Sequence, residues 1–196
     1  MQTEIEVKFV DVDIDEIRGR LKKAGAELKH PMRLMRRVLI EQPEHEQRNA
    51  FIRVRDEGDR VTLTYKEQKS ATLHGVKEIE VTVGDFEKTV ELLSLAGWKY
   101  KTRQESRRET WKLNDVEVVI DERPWVPPYI EIEGPSEHAV RDVADKLKCD
   151  WNSALYGNEK SLYQHYFPNM TVRGLIDIPS VRFEDPIPKE FLGKKS

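Results

Sequence analysis

An acid–apolar–acid triplet recurs three times in strand-like sequence: Glu4-Ile5-Glu6, Glu78-Ile79-Glu80 and Glu131-Ile132-Glu133. Side chains alternate between faces along a strand, so each triplet puts two carboxylates on one face and an apolar residue on the other. One such strand is what any half-solvated sheet shows. Three weaken that explanation, because like charges opposed across strands cost stability. A solvated face would also mix Thr, Ser, Gln and Lys among the acids. Clustering of one sign calls for something that compensates it.

The opposite sign is grouped in the same manner. In Ala50–Arg55 (AFIRVR), Arg53 and Arg55 share one face while Ile52 and Val54 share the other. Asp56-Glu57-Gly58-Asp59 reads as a hairpin turn, and Val61–Lys66 (VTLTYK) returns carrying Lys66. A further strand, Val116–Asp121 (VEVVID), ends on Asp121. Grouped carboxylate oxygens suit a hard divalent cation, Mg²⁺ or Mn²⁺. Grouped arginines and lysines suit phosphate oxygens, with Arg making bidentate contacts. A polyphosphate carried with its metal needs both sets.

Strand period also marks Thr3–Val10, Met32–Glu41, Lys77–Val83, Trp98–Leu113 and Tyr129–Glu133, giving about eight strands. That number is enough to close a barrel. Helical spacing and end signals place helices over Asp13–Gly25, between Asp85 and Gly97, after Pro135-Ser136, and over Glu159–Tyr166. Gln42–Asn49 reads as a polar loop. The charged faces are expected to point inward, with helices over the apolar outside burying Ile5, Ile52, Val54, Ile79 and Ile130. Residues 168–196 hold four prolines and no sustained period, and read as an irregular extension packed on the barrel by Leu175, Ile176 and Phe183.

The totals remove several function classes. A net charge of −3 gives no global field to recruit nucleic acid or an anionic membrane. No run approaches the roughly 18 apolar residues of a membrane span. The N-terminal residues lack the basic start and apolar run of a signal peptide, which favours a cytoplasmic location. Cys149 stands alone, so neither a disulfide framework nor a cysteine-rich zinc site is available. The five histidines are scattered without metal-ligand spacing.

The ordered segments together resemble a known family. EIEVK (Glu4, Glu6, Lys8) looks like the ExExK signature of CYTH domains, the triphosphate tunnel metalloenzymes, which include thiamine triphosphatases, inorganic triphosphatases and class IV adenylyl cyclases. The resemblance continues through Arg53 and Arg55, Lys66, Glu78 and Glu80, Arg107-Arg108, Asp121, and Glu131 with Glu133. It implies an α+β fold: a closed eight-stranded antiparallel barrel with flanking helices over residues 1–167, followed by the extension 168–196. It also implies that Glu4, Glu6, Asp121, Glu131 and Glu133 hold Mg²⁺ or Mn²⁺, and that Lys8, Arg53, Arg55, Lys66 and Arg108 hold phosphates. Glu4, Glu6 and Lys8 form the catalytic signature. Glu78 and Glu80 are a second acidic group, for a basic side chain or a second metal. Lys160, in YGNEKSLY, resembles a lysine that closes over the phosphates. Arg108 is chosen over Arg107 because it stands three residues before Trp111. Either Arg36 or Arg37 extends the basic lining.

The expected partner is therefore a small molecule bearing a triphosphate, with no nucleic acid or membrane, on a monomer or homodimer. Hydrolysis of inorganic, thiamine or nucleoside triphosphate is the leading activity. The alternatives are an adenylyl cyclase reaction on ATP, in which the 3′ hydroxyl attacks the α-phosphate, and a non-catalytic polyphosphate or nucleotide sensor. The second strand, RLMRRVLIE, lacks the aromatic and acidic residues common there in the family, so no head-group contacts carry over.

Overall fold

The computed structural model describes the backbone of residues 2–68, 76–157, 159–170 and 174–192, and their side chains apart from 2–4, 68 and 76. The strands are β1 (Gln2–Phe9), β2 (Glu27–Ile40), β3 (Ala50–Asp56), β4 (Val61–Gln68), β5 (Val76–Val83), β6 (Thr102–Leu113), β7 (Val116–Arg123), β8 (Val126–Gly134) and β9 (Ser180–Val181). The helices are α1 (Ile14–Lys23), α2 (Pro43–Gln47), α3 (Phe86–Leu95), α4 (Glu137–Lys146) and α5 (Glu159–Tyr166). Asp13, Asp85 and Ser136 each accept a backbone N–H three residues on, capping α1, α3 and α4 as their sequence positions predict. The segment read as a loop after β2 holds the short α2, started by Pro43.

β1 to β8 form one antiparallel, deeply curled sheet in the order β2-β3-β4-β5-β1-β8-β7-β6, and β2 also pairs with β6. β9 adds to β6 in parallel. The expectation of a fully closed barrel needs correction at one seam. Among the described residues β1 and β5 share three residue pairs, Gln2–Glu78, Thr3–Lys77 and Glu4–Val76. Beyond them β1 pairs with β8 and β5 with β4. The sheet is thus an eight-stranded curled half-barrel. Alternation sends Arg37, Arg53, Lys8 and Glu131 to the concave side and Val7, Val38, Val54, Ile130 and Ile132 to the convex side.

Helices cover most of that convex side. α1 and α4 lie over β1, β7 and β8, where Ile17, Leu21, Val140, Val143 and Leu147 pack with Val7, Val118 and Ile132. α3 covers β2 and β3, with Phe86 and Val90 against Val38 and Val54. Of the residues expected beneath helices, Ile52, Val54 and Ile130 are buried and Ile5 packs at the edge of the core. Ile79 is not: Ile79 and Val81, on β5, are 54% and 51% exposed. A third cluster gathers where β1 ends and β8 begins, joining Val126, Tyr129, Leu162 and Tyr163 to Leu175, Val181 and Phe191 of the extension. Among the described residues, no helix is long and apolar enough to cross a membrane.

Candidate functional site

The concave side holds a cavity of about 700 Å³. Its lining includes most of the charged residues singled out in the sequence: Glu6, Lys8, Arg53, Arg55, Lys66, Glu78, Glu80, Arg108, Glu131, Glu133 and Lys160. Two do not appear there as described. The side chain of Glu4 lies outside the described residues. Asp121 is fully buried, one layer behind the lining.

One wall is acidic. Glu6 faces Glu133 directly across β1 and β8, and Glu117 faces Glu133 across β7 and β8. Carboxylate oxygens of Glu6, Glu131 and Glu133 all lie within 4.8 Å of one another. Opposed like charges oppose folding, so an all-oxygen, anionic cluster of this kind fits a hard divalent cation. Lys8 sits among them: its Nζ donates to Glu6 Oε1 at 3.0 Å and to the Gly157 carbonyl at 2.9 Å, and lies 3.6 Å from Glu131 Oε2. Burial alone would lower the Lys8 pKa, but Glu131 and Glu6 outweigh it and hold the ammonium above its ordinary value.

The facing wall is basic. β3 supplies Arg53 and Arg55, β2 supplies Arg37, and β6 supplies Arg108. Burial and then the neighbouring Arg37 push the Arg53 guanidinium down. Burial, then Arg53, Arg108 and Arg37, push Arg55 well down. Partial relief comes from Glu80, 3.4 Å from Arg53, and from Glu57, 3.5 Å from Arg55. Arg53 Nε is buried without a hydrogen-bond partner. A wall of cations that penalises its own charge favours an anion in the cavity.

The second acidic group holds basic side chains: Glu78 lies 3.4 Å from Lys66 and Glu80 accepts from Thr64 at 2.8 Å. Alternation resolves the two arginine pairs. Arg108 faces in, whereas Arg107 pairs with Glu122 and lies over the Phe183 ring. Arg37 faces in, whereas Arg36 pairs with Asp56.

Asp121 lies outside the carboxylate trio. It accepts from Arg108 Nε at 2.7 Å and Nη2 at 2.6 Å, a bidentate pair, and from the Tyr129 hydroxyl at 3.1 Å. Tyr129 in turn accepts from Arg123 Nε at 2.8 Å. Burial pushes the Tyr129 phenol well up, so it stays protonated. For Arg108 burial acts downward, but Asp121 outweighs it and the guanidinium ends well above its ordinary value.

Sequence reasoning missed Glu57, Arg123 and Glu159. Glu57 was legible only as a turn residue, yet it is buried and gathers Arg55, Arg60 and Arg33. Arg123 was hidden beside the prolines of the β7–β8 turn. Glu159 precedes Lys160 on α5; it accepts from Arg37 and forms an ion pair with Arg123 at 2.9 Å. Burial would raise the Glu159 carboxyl, but Arg123 and Arg37 hold it well below the usual carboxylate range. A depressed folded-state pKa means the pairing stabilises the fold at neutral pH and is lost only as pH falls through the folded value. Glu159→Gln is therefore expected to lower Tm at pH 7 by about 5 °C or more. The gap to the parent protein should narrow below about pH 4, where the unfolded carboxyl protonates. Melting curves of both proteins across that range check it; a gap that does not change with pH would deny the ion pairs their role.

The family model described as CYTH domain matches residues 2–167. No curated protein matches the chain in sequence. Among solved structures, the PH1012 protein of Pyrococcus horikoshii superposes with TM-score 0.64 at 26% identity, over 77% of this chain and 93% of that one. A candidate adenylate cyclase of Vibrio parahaemolyticus superposes with TM-score 0.70 at 10% identity, over 82% and 98% of the two chains. The candidate adenylyl cyclase HpAC1 of Hippeastrum, with a dominant triphosphatase activity, superposes with TM-score 0.53 at 11% identity, over 81% and 91%. At such identities the last two likenesses concern the fold.

Proposed function

This chain belongs to the CYTH domain family, and on that premise we propose that it is a metal-dependent hydrolase of a small triphosphate. The observation that carries the reading is the pairing of two walls across one cavity. The carboxylates of Glu6, Glu131 and Glu133 converge within 4.8 Å. Opposite them, Arg53 and Arg55 are cations held against their own electrostatic preference. Neither wall is at ease alone, and a polyphosphate with its cation satisfies both.

Glu6, Glu131 and Glu133 are the residues to hold Mg²⁺ or Mn²⁺, with Glu4 joining them by family pattern. A divalent cation there supplies charge neutralisation at the phosphates and activates water. Arg53 and Arg55 bind phosphate oxygens, with Lys66 and Lys160 beside them. They keep the chain in line and take up charge on the leaving oxygen. Lys8 aims its donors at the carboxylates, so its part is to hold Glu6 and Glu131 in position. Asp121 orients Arg108 through the bidentate pair. Residues 1–167 act as one catalytic domain in the cytoplasm.

The deciding experiment offers inorganic, thiamine and nucleoside triphosphates with Mg²⁺ and with Mn²⁺, and reads all products. Orthophosphate from at least one of them, lost on chelation, is expected. Cyclic AMP with pyrophosphate would make the chain a cyclase instead. Tight binding without turnover under either metal would make it a sensor.

A further inference from the structure

We infer that Tyr129 and Arg123 are positioning residues for phosphate binding: they join Arg108 and Arg37 of the basic wall through one buried chain of hydrogen bonds, so that each arginine holds its aim with the help of the other. The inference rests on the reading of the site as one that binds a triphosphate. Arg37 and Arg108 both line the cavity. Their strand positions keep them apart. Gln104 stands across from Arg37, and Arg108 is four residues further along β6, about 13 Å at roughly 3.3 Å per residue. A path between them runs behind the lining. Asp121 accepts both hydrogen bonds of the Arg108 fork. The Tyr129 hydroxyl donates to Asp121 Oδ2 at 3.1 Å and accepts from Arg123 Nε at 2.8 Å. Arg123 Nη2 lies 2.9 Å from Glu159 Oε1. Glu159 Oε1 accepts in turn from Arg37 Nη1 at 2.6 Å, and Oε2 accepts from Arg37 Nη2.

The hydroxyl at the centre of the path has one orientation. A guanidinium only donates, so Arg123 takes a lone pair of the phenol oxygen and the phenol hydrogen is left for Asp121. Asp121 and Tyr129 are fully buried and Arg123 is 6% exposed, so water does not compete for these bonds. Packing against Val126, Leu162 and Tyr163 would be met by phenylalanine; the hydroxyl serves the chain of bonds. The β7–β8 register slips between Asp121 and Arg123, the kind of irregularity that re-aims a side chain beside a site. Arg123 shows at the lining, with Nε and Nη2 committed to Tyr129 and Glu159. The far end of the chain is α5, whose Glu159 stands next to the cavity residue Lys160 and whose Tyr163 hydroxyl donates to the Pro124 carbonyl at 2.8 Å. Two guanidinium planes set before a ligand arrives lower the ordering cost of binding it.

The test measures binding of imidotriphosphate, the imido analogue of inorganic triphosphate that resists hydrolysis, with Mg²⁺, by calorimetry on the full-length protein. Arg37→Lys and Arg108→Lys keep the charge and lose the fork. In the parent background each is expected to raise Kd. The pair together is expected to depart from the product of the two single changes by about threefold or more, whereas distant sites with no shared network multiply. Tyr129→Phe removes one hydroxyl and keeps the ring. It is expected to raise Kd about fivefold, and in its background the two lysine changes should multiply within about twofold. A hydroxyl with only a packing role would leave the coupling as it was. Multiplicative losses in the parent background, or a coupling that survives Tyr129→Phe, overturn the inference. Should Tyr129→Phe not fold, Arg123→Lys takes its place, because one ammonium does not reproduce the planar fork that serves Tyr129 and Glu159 together; the same loss of coupling is expected, and its persistence overturns the inference. A parent protein that binds no imidotriphosphate overturns the functional reading and this inference with it; tight binding with multiplicative losses overturns this inference alone.

Discussion

Glu6→Gln is expected to lose triphosphate hydrolysis by on the order of a hundredfold or more while the protein stays folded. Glu6 belongs to the trio whose oxygens lie within 4.8 Å, and the amide keeps its size while removing its charge. Weaker metal binding follows, so the Mn²⁺ or Mg²⁺ concentration that restores half the activity should rise with the loss. Stability has reasons to hold. Glu6 stands directly across from Glu133, and a neutral side chain relieves that repulsion. Lys8 loses one partner but keeps the Gly157 carbonyl at 2.9 Å and Glu131 at 3.6 Å. Metal titrations of both proteins by activity and by calorimetry check the result. Turnover that survives exhaustive chelation in the parent protein, or an unaltered metal titration in the variant, would remove the cation from this wall.

Arg55→Ala is expected to weaken triphosphate binding by about 10- to 150-fold, the loss of one charge-assisted contact of roughly 1.5–3 kcal/mol. Without ligand, its melting temperature should stay level or rise. Burial and the nearby Arg53, Arg108 and Arg37 already press the Arg55 guanidinium well down, so truncation relieves crowding. Glu57 is not stranded, because Arg60 remains at 2.9 Å and Arg33 at 3.7 Å. Triphosphate with metal should then raise Tm strongly in the parent protein and much less in the variant. Equal shifts would show that β3 does not face the phosphates.

The strand faces were legible because a period of two leaves no freedom: once Ile52 and Val54 pack outward, Arg53 and Arg55 must point in. The same rule separated Arg37 from Arg36 and Arg108 from Arg107 only when the register became visible, since adjacent arginines look alike in sequence. Glu57, Arg123 and Glu159 escaped because they sit at ends of elements, where no periodicity assigns a face. Their burial comes from the return of α5 and the β3–β4 turn onto the sheet, a long-range contact. Ile79 was misjudged for a related reason. Alternation tells which way a residue points but not whether a helix will lie there, and Ile79 stays exposed on β5. The extension was expected to pack through Leu175, Ile176 and Phe183; Leu175 is buried in the core, Phe183 lies half-buried under Arg107 of β6, and Phe191 is a further buried anchor that the sequence did not single out.

The short β1–β5 seam bears on how this protein behaves in a crowd. Beyond Glu78, β5 turns toward β1 a row of backbone groups that no ladder engages among the described residues, beneath the exposed Ile79 and Val81. Such a rim invites a strand from another chain. The charges of Glu78 and Glu80 stand along it, and a docking strand would have to strip water from both. Two carboxylates that serve Lys66 and Arg53 on the inside thereby also act as guards against edge-to-edge aggregation, and neutralising them together would give up solubility as well as the cavity's charge balance.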